Sequence, residues 1–223
     1  MKTYLINHLK KCLYLIVFVG FTSVQAGSYE DYFRSIETDQ AAVVKRLLDR
    51  GFDPNTLDPK GQHGLYIALR EASLKVAQLL VEWPKTDVNI LNAKGESPLM
   101  LAALKGNQPI ADALVKKGAD VNKTGWAPLH YAASSGNLPI IALLIENSAY
   151  IDAESPNGTT PLMMAAMYGT PAAVKLLIDE GADPSLKNIQ GLTALQFAQR
   201  AARPDAVALI AAAIRSKRPA GQW

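Results

Sequence analysis

The sequence predicts an all-α fold, a solenoid of about six helix pairs. Three observations predict it. Five glycine-led blocks recur in phase: Gly61-Gln62-His63-Gly64-Leu65, Gly95-Glu96-Ser97-Pro98-Leu99, Gly125-Trp126-Ala127-Pro128-Leu129-His130, Gly158-Thr159-Thr160-Pro161-Leu162 and Gly191-Leu192-Thr193-Ala194-Leu195, at steps of 34, 30, 33 and 33 residues. Ala-Ala pairs (Ala102-Ala103, Ala132-Ala133, Ala165-Ala166) and a glycine break follow, and each unit ends in an apolar stretch closed by an aliphatic pair: Leu79-Leu80, Leu114-Val115, Leu144-Ile145, Leu177-Ile178 and Leu209-Ile210. The chain is 49% hydrophobic and 19% charged, enough apolar material for a core. A fixed period of this size marks units that cannot bury their own apolar faces and therefore stack.

Residues 1–26 stand apart. They carry Lys2, Lys10 and Lys11 and no carboxylate, then an apolar run from Cys12 to Phe21, then the polar exit Thr22-Ser23-Val24-Gln25-Ala26. That is the three-part layout of a secretory signal peptide, with cleavage expected after Ala26. An uncleaved anchor needs ~20 apolar residues to cross the hydrocarbon, twice the run present. The sole cysteine, Cys12, precedes the apolar run rather than following it, so lipidation is not expected, and the mature chain has no thiol chemistry. The three lysines also account for the formal charge of +3: the remainder holds 20 basic and 20 acidic residues.

The repeated blocks also carry helix punctuation. Ser97, Thr160 and Thr193 stand at N-cap positions, and Pro98, Pro128 and Pro161 fill the first helical position. Gly106, Gly136 and Gly169 are expected to end the short helices in a left-handed backbone. Ala127 lacks the capping hydroxyl, which predicts a weaker cap by ~1 kcal/mol. Between units come Gly118-Ala119-Asp120-Val121-Asn122 and Gly181-Ala182-Asp183-Pro184.

These segments resemble the ankyrin repeat, with its Thr-Pro-Leu-His and Gly-Ala-Asp-Val-Asn signatures, over essentially all of residues 29–215. On that resemblance 27–57 form an N-terminal capping repeat, 58–187 four ankyrin repeats and 188–215 a C-terminal capping repeat, with β-hairpin fingers along one edge of the ankyrin-repeat solenoid, followed by a flexible tail at 216–223. The first unit keeps the apolar helix Ala42 to Leu48 but replaces the signature turn with Asp31-Tyr32-Phe33-Arg34, as a cap would.

The departures from the pattern point to function. Four fingers run seven steps to their glycine (Pro54 to Gly61, Val88 to Gly95, Ile151 to Gly158, Pro184 to Gly191), whereas Val121 to Gly125 takes four. Trp126 follows directly, at a position that the family turns outward. Two readings fit it: an aromatic anchor at a notch for a partner, or a cover for the shortened hairpin. Trp83-Pro84-Lys85-Thr86 replaces another Gly-Ala turn, with Trp83 expected to pack over a helix end. The resemblance places Leu104, Lys105, Ser134, Ser135, Met167 and Tyr168 on the groove, and with Trp126, Lys94, Glu96 and Thr159 they form the expected partner footprint.

Catalysis finds no equipment. No Gly-x-Ser-x-Gly, phosphate-cradling or His-Glu-x-x-His arrangement occurs, and no cofactor or metal site is expected. His130 stands in the family's histidine slot, which ties neighbouring repeats, and His63 replaces a threonine two units earlier. Asp120, Asp152 and Asp183 are read as turn residues with local hydrogen bonds. A neutral mature chain argues against nucleic acid. The expected function is non-catalytic binding of a protein partner of unknown identity by a monomer, in the periplasm or secreted, without stable membrane insertion. A structural accessory of an exported enzyme or envelope complex and a secreted host-directed effector are the alternatives.

Overall fold

The computed structural model describes residues 27–216, so the expected signal peptide and the tail from 217 onward lie outside the described residues. Twelve helices are present among them. Residues 27–37 form α1, followed by α2 (Ala41–Asp49), α3 (Gly64–Arg70), α4 (Leu74–Glu82), α5 (Pro98–Lys105) and α6 (Gln108–Lys116). Then come α7 (Pro128–Ser135), α8 (Leu138–Glu146), α9 (Pro161–Met167), α10 (Pro171–Asp179), α11 (Ala194–Arg200) and α12 (Pro204–Ser216). Ser216 is thus the end of a helix rather than the start of the tail. From α3 onward the odd-numbered helices pack on one another in sequence, as do the even-numbered ones from α2, giving two layers joined pair by pair.

The Ala-Ala pairs explain the inner layer. Ala102, Ala103, Ala132, Ala133, Ala165 and Ala166 are all fully buried, and their small side chains let α5, α7 and α9 approach closely. Between the layers sit Leu80, Leu99, Leu114, Leu129, Leu144, Leu162 and Leu177. In the first unit Tyr32 is buried against Phe33 and Phe52, and its hydroxyl donates to the Pro54 carbonyl. Within the motif that broke the signature, Tyr32 is therefore core and Phe33 packs half-buried beside it, while Asp31 and Arg34 are exposed.

Helix starts follow the sequence. Ser97 and Thr160 accept from the N–H of Met100 and Met163, with Pro98 and Pro161 at the first position. At Thr193 the hydroxyl pairs with the Gln196 side chain instead. Ala127 offers no side-chain acceptor, but His130 Nδ1 accepts the Ala127 N–H at 3.1 Å, so half of a reciprocal cap survives from the other side.

Helix ends differ in one place. Gly106 and Gly136 adopt the expected left-handed conformation, whereas Gly169 does not. There α9 stops at Tyr168, and the Arg203 guanidinium, reaching back from the last unit, donates to the carbonyls of Met167 and Gly169. The same reach-back recurs upstream, where Asn137 donates to the Gly106 carbonyl and Thr170 to that of Gly136.

The fingers are tight turns rather than β-hairpins: the described residues contain no strand, only an isolated antiparallel bridge between Leu57 and His63. Each long finger is folded by one residue. Asp58 Oδ1 accepts the N–H groups of Lys60 and Gln62, Asn92 those of Lys94 and Glu96, and Asn188 those of Gln190 and Leu192, while Ser155 Oγ accepts from Thr159. The backbone closes the same turns, with the N–H groups of Asp58, Asn92, Ser155 and Asn188 donating to the carbonyls four residues on. Asn122 occupies the corresponding place in the short finger and is engaged elsewhere.

That engagement is a clamp between units. Asn55, Asn89 and Asn122 each donate to a carbonyl of the next unit (Lys85, Gly118, Ser148) and accept a backbone N–H from it (Asp87, Asp120, Tyr150). Asp152 continues the series, accepting from the Asp183 N–H. The expected periodic trio of Asp120, Asp152 and Asp183 is thus two slots: Asp120 and Asp183 align with Asp53 and Asp87, Tyr150 replaces aspartate in the fourth unit, and Asp152 belongs to the clamp. Asp183 has the expected local bond, accepting from the Ser185 N–H, whereas Asp152 bonds across units. Trp83 is half-buried over the end of α4, with the Lys45 ammonium above its ring and Lys117 donating to its carbonyl.

Candidate functional site

The inner layer leaves a hole where one residue is small. Leu104 on α5, Ser134 on α7 and Met167 on α9 occupy the same register, directly after the Ala-Ala pairs and two residues before the glycines. Serine between leucine and methionine opens a cavity of about 430 Å³, lined by Leu104, Trp126, His130, Tyr131, Ser134, Met164 and Tyr168. Its walls are mostly hydrocarbon and aromatic ring. A second cavity of about 300 Å³ shares Trp126, Met164 and Tyr168 and extends to Met167, Thr159 and Arg200.

Trp126 divides the two. It stands edge-on to His130 at 5.2 Å and to Tyr131 at 6.5 Å, half-buried at the base of the short finger. It therefore covers part of the finger base and also walls both cavities. Tyr168 is 59% exposed on the opposite side, and Leu104 is 44% exposed.

The expected footprint divides accordingly. Leu104, Trp126, Ser134 and Tyr168 meet around the first cavity, and Met167 and Thr159 line the second. Lys94, Glu96, Lys105 and Ser135 line neither. Ser135 donates to the carbonyls of Ala103 and Ala132, tying α7 to α5. Thr159 is buried, with its carbonyl bonded to His130 Nε2. Tyr131, His130 and Met164 were missed. Tyr131 and Met164 occupy the slot after the histidine position in consecutive units, a position whose equivalent Leu101 is buried.

Glu96 has its own task. Its carboxylate accepts the hydroxyls of Tyr66 and Tyr131 at 3.3 and 3.4 Å and the Asn92 amide at 2.8 Å. It belongs to none of the ion pairs among the described residues, which join Lys45 to Asp49, Arg70 to Glu71 and Lys175 to Asp179. Burial, then the Glu96 charge and hydrogen bond, push the Tyr131 phenol up to about 12. Tyr66 is raised by burial and by the same carboxylate.

The histidines are structural. His130 is fully buried, accepting at Nδ1 from Ala127 and donating from Nε2 to the Thr159 carbonyl at 2.9 Å, which joins neighbouring units. His63 caps α3, its Nδ1 accepting from the Tyr66 N–H. Among the described residues no group of three or more His, Cys, Asp or Glu is placed to hold a metal, and no helix is long and apolar enough to cross a membrane.

The chain matches a family model described as ankyrin repeats (3 copies) three times, over residues 33–125, 65–155 and 129–218. Among solved structures it is similar to an ankyrin repeat domain from Acinetobacter baumannii AYE, with a TM-score of 0.71 and 26% identity over 82% of this chain and 98% of that one. Among curated proteins it is 34% identical over 70 residues to the rat (Rattus norvegicus) ankyrin repeat and SAM domain-containing protein 6, covering 31% of this chain and 8% of that protein. It is 32% identical over 88 residues to alpha-latroinsectotoxin-Lt1a of Latrodectus tredecimguttatus, covering 40% of this chain and 6% of the toxin. The matched segment thus spans less than a tenth of either curated relative.

Proposed function

Because the chain belongs to the ankyrin-repeat family, whose repeats are protein-protein interaction modules, we propose that it is a non-catalytic module that holds a protein partner against the inner helices and finger turns. The observation that carries this reading is the cavity beneath Trp126 and Tyr168. Protein anchors dock into apolar pockets with a polar rim, and tryptophan and tyrosine are the residues most often found at their energetic centres. Here both stand around an opening in the middle of the repeat ladder.

Filling the opening tests the reading. Ser134→Phe is expected to weaken capture of the partner from envelope extract at least ~10-fold, and Trp126→Ala to do the same by removing an anchor. Ser134 is half-buried and makes one hydrogen bond, to the Tyr131 carbonyl, so the melting temperature should change little. Undiminished capture by both folded variants would eliminate this surface.

The second part of the proposal is export. A basic head, a short apolar run and a small-residue exit at Ala26 support a cleaved signal and a periplasmic or secreted module, and the likeness to a bacterial repeat domain supports a bacterial setting. Fractionation should find the protein outside the cytoplasm with residue 27 at its N-terminus. Full-length protein confined to the cytoplasm would refute it.

A further inference from the structure

The cavity is lined by three aromatic side chains, one of them bonded to a carboxylate that makes no ion pair, and the cation Arg200 lines the neighbouring cavity rather than this one. Trp126, Tyr131 and Tyr168 line one space, and Glu96 is bonded to the hydroxyl of the middle one. Aromatic rings present a negative face, which attracts a cation placed over them. A carboxylate without a basic partner adds negative potential at the same wall. Lys123, whose ammonium lies beside Gly95, donates to the Thr124 carbonyl rather than to Glu96.

We propose that this cavity receives the arginine side chain of an extended protein segment, its guanidinium stacked among Trp126, Tyr131 and Tyr168 and drawn by Glu96. The inference rests on the partner-binding reading above and names the chemistry of the residue that the partner inserts. The shape of the site favours a long amphipathic side chain over a purely apolar one. Leu104 and Met164 offer hydrocarbon to a methylene stem, and the ring faces with the Tyr131–Glu96 pair offer a place for the charged end. Arginine fits better than lysine because a planar, weakly hydrated guanidinium stacks on rings, whereas an ammonium gives up more hydration to enter.

Glu96 acts through Tyr131. Its carboxylate accepts the Tyr131 hydroxyl and is not among the cavity's lining residues, so it strengthens the pull on a cation without occupying the space. The carboxylate also holds Tyr66 and Asn92. A glutamine at position 96 removes the charge and keeps one acceptor oxygen for Tyr66 and Asn92, while its amide N–H2 faces the Tyr131 hydroxyl, which turns from donor to acceptor.

The test uses the full chain and three blocked amino acids as probes: N-acetyl-arginine methylamide, its citrulline counterpart, which keeps the shape and loses the charge, and the leucine counterpart. Binding is read from the indole N–H resonance of Trp126, assigned with Trp126→Phe. The arginine probe should move that resonance saturably, with the citrulline probe at least ~10-fold weaker, which corresponds to about 1.4 kcal/mol. Glu96→Gln should weaken the arginine probe several-fold and leave citrulline unchanged. Tyr168→Ala, at a well-exposed position that tolerates truncation, should weaken it as well. Citrulline or leucine binding as tightly as arginine would overturn the cation and leave the docking surface standing. No saturable shift with any probe would overturn the cation, and the Ser134→Phe capture experiment decides separately on the surface.

Discussion

Lowering the pH from 7 to 4 should remove about 3 kcal/mol of stability through His63 alone. Burial lowers the His63 pKa from 6.5 to about 4, and the Ile90 backbone and the Asp87 charge oppose only part of that. The folded state therefore keeps the ring neutral at pH values where the unfolded chain already protonates it. Between about 6.5 and 4 the unfolded state binds more protons, so stability is complete above 6.5 and falls as the pH drops toward 4. The hydrogen bonding explains the preference: Nδ1 accepts the Tyr66 N–H that opens α3, and a proton there would set two donors against each other. His130 adds in the same direction, its pKa lowered by burial while Nδ1 accepts from Ala127.

Urea unfolding at half-unit intervals from pH 7.5 to 4 measures the effect. His63→Thr isolates it, because threonine can cap α3 through its hydroxyl, as Thr160 caps α9, and does not titrate. The variant should lose most of the acid sensitivity between pH 6.5 and 4 while keeping the contribution of His130. An unchanged pH slope would show that His63 is not the sensor.

The repeat architecture was legible because glycine, proline and hydroxyl residues fall in phase, and each has a backbone reason to be where it is. Ser134 was also readable: a serine between Leu104 and Met167 in the same register leaves a volume that its neighbours do not fill. Glu96 and Thr159, expected in the partner footprint, follow the block glycine as Trp126 does. That position turns out to face along the ladder, so Glu96 meets tyrosines 30 residues before and 35 after it, a contact that no local pattern signals. The clamp of Asn55, Asn89 and Asn122 was visible as a period, but its partners lie in the next unit. The fingers carry no strand because each closes over four residues: the N–H groups of Asp58, Asn92, Ser155 and Asn188 donate to the carbonyls of Gln62, Glu96, Thr159 and Leu192, a pairing too short to extend into a ladder.

Gly169→Ala should cost roughly 3 kcal/mol, at the upper end for overpacking a core. The sequence suggested an interchangeable helix stop, yet this glycine has no left-handed backbone to preserve. Its requirement is space. A Cβ here would lie 2.3 Å from the Ala133 carbonyl oxygen on α7, 2.9 Å from the Ala165 Cα and 3.0 Å from the Ala165 oxygen. All three are backbone atoms, which cannot rotate aside as a side chain can, so α9 would have to back away from α7. That movement would strain the Arg203 contacts to Met167 and Gly169, made from the last unit. Gly191→Ala provides the contrast: it has a φ of 75° and open space around it, so alanine there incurs the left-handed penalty of about 1–2 kcal/mol and no clash. Denaturant midpoints for the two variants should separate clearly, and a Gly169→Ala protein no less stable than Gly191→Ala would disprove the close approach. The two should also part in binding. Met164 and Tyr168 ride on the segment that must move, so the arginine probe should weaken with Gly169→Ala and be retained with Gly191→Ala.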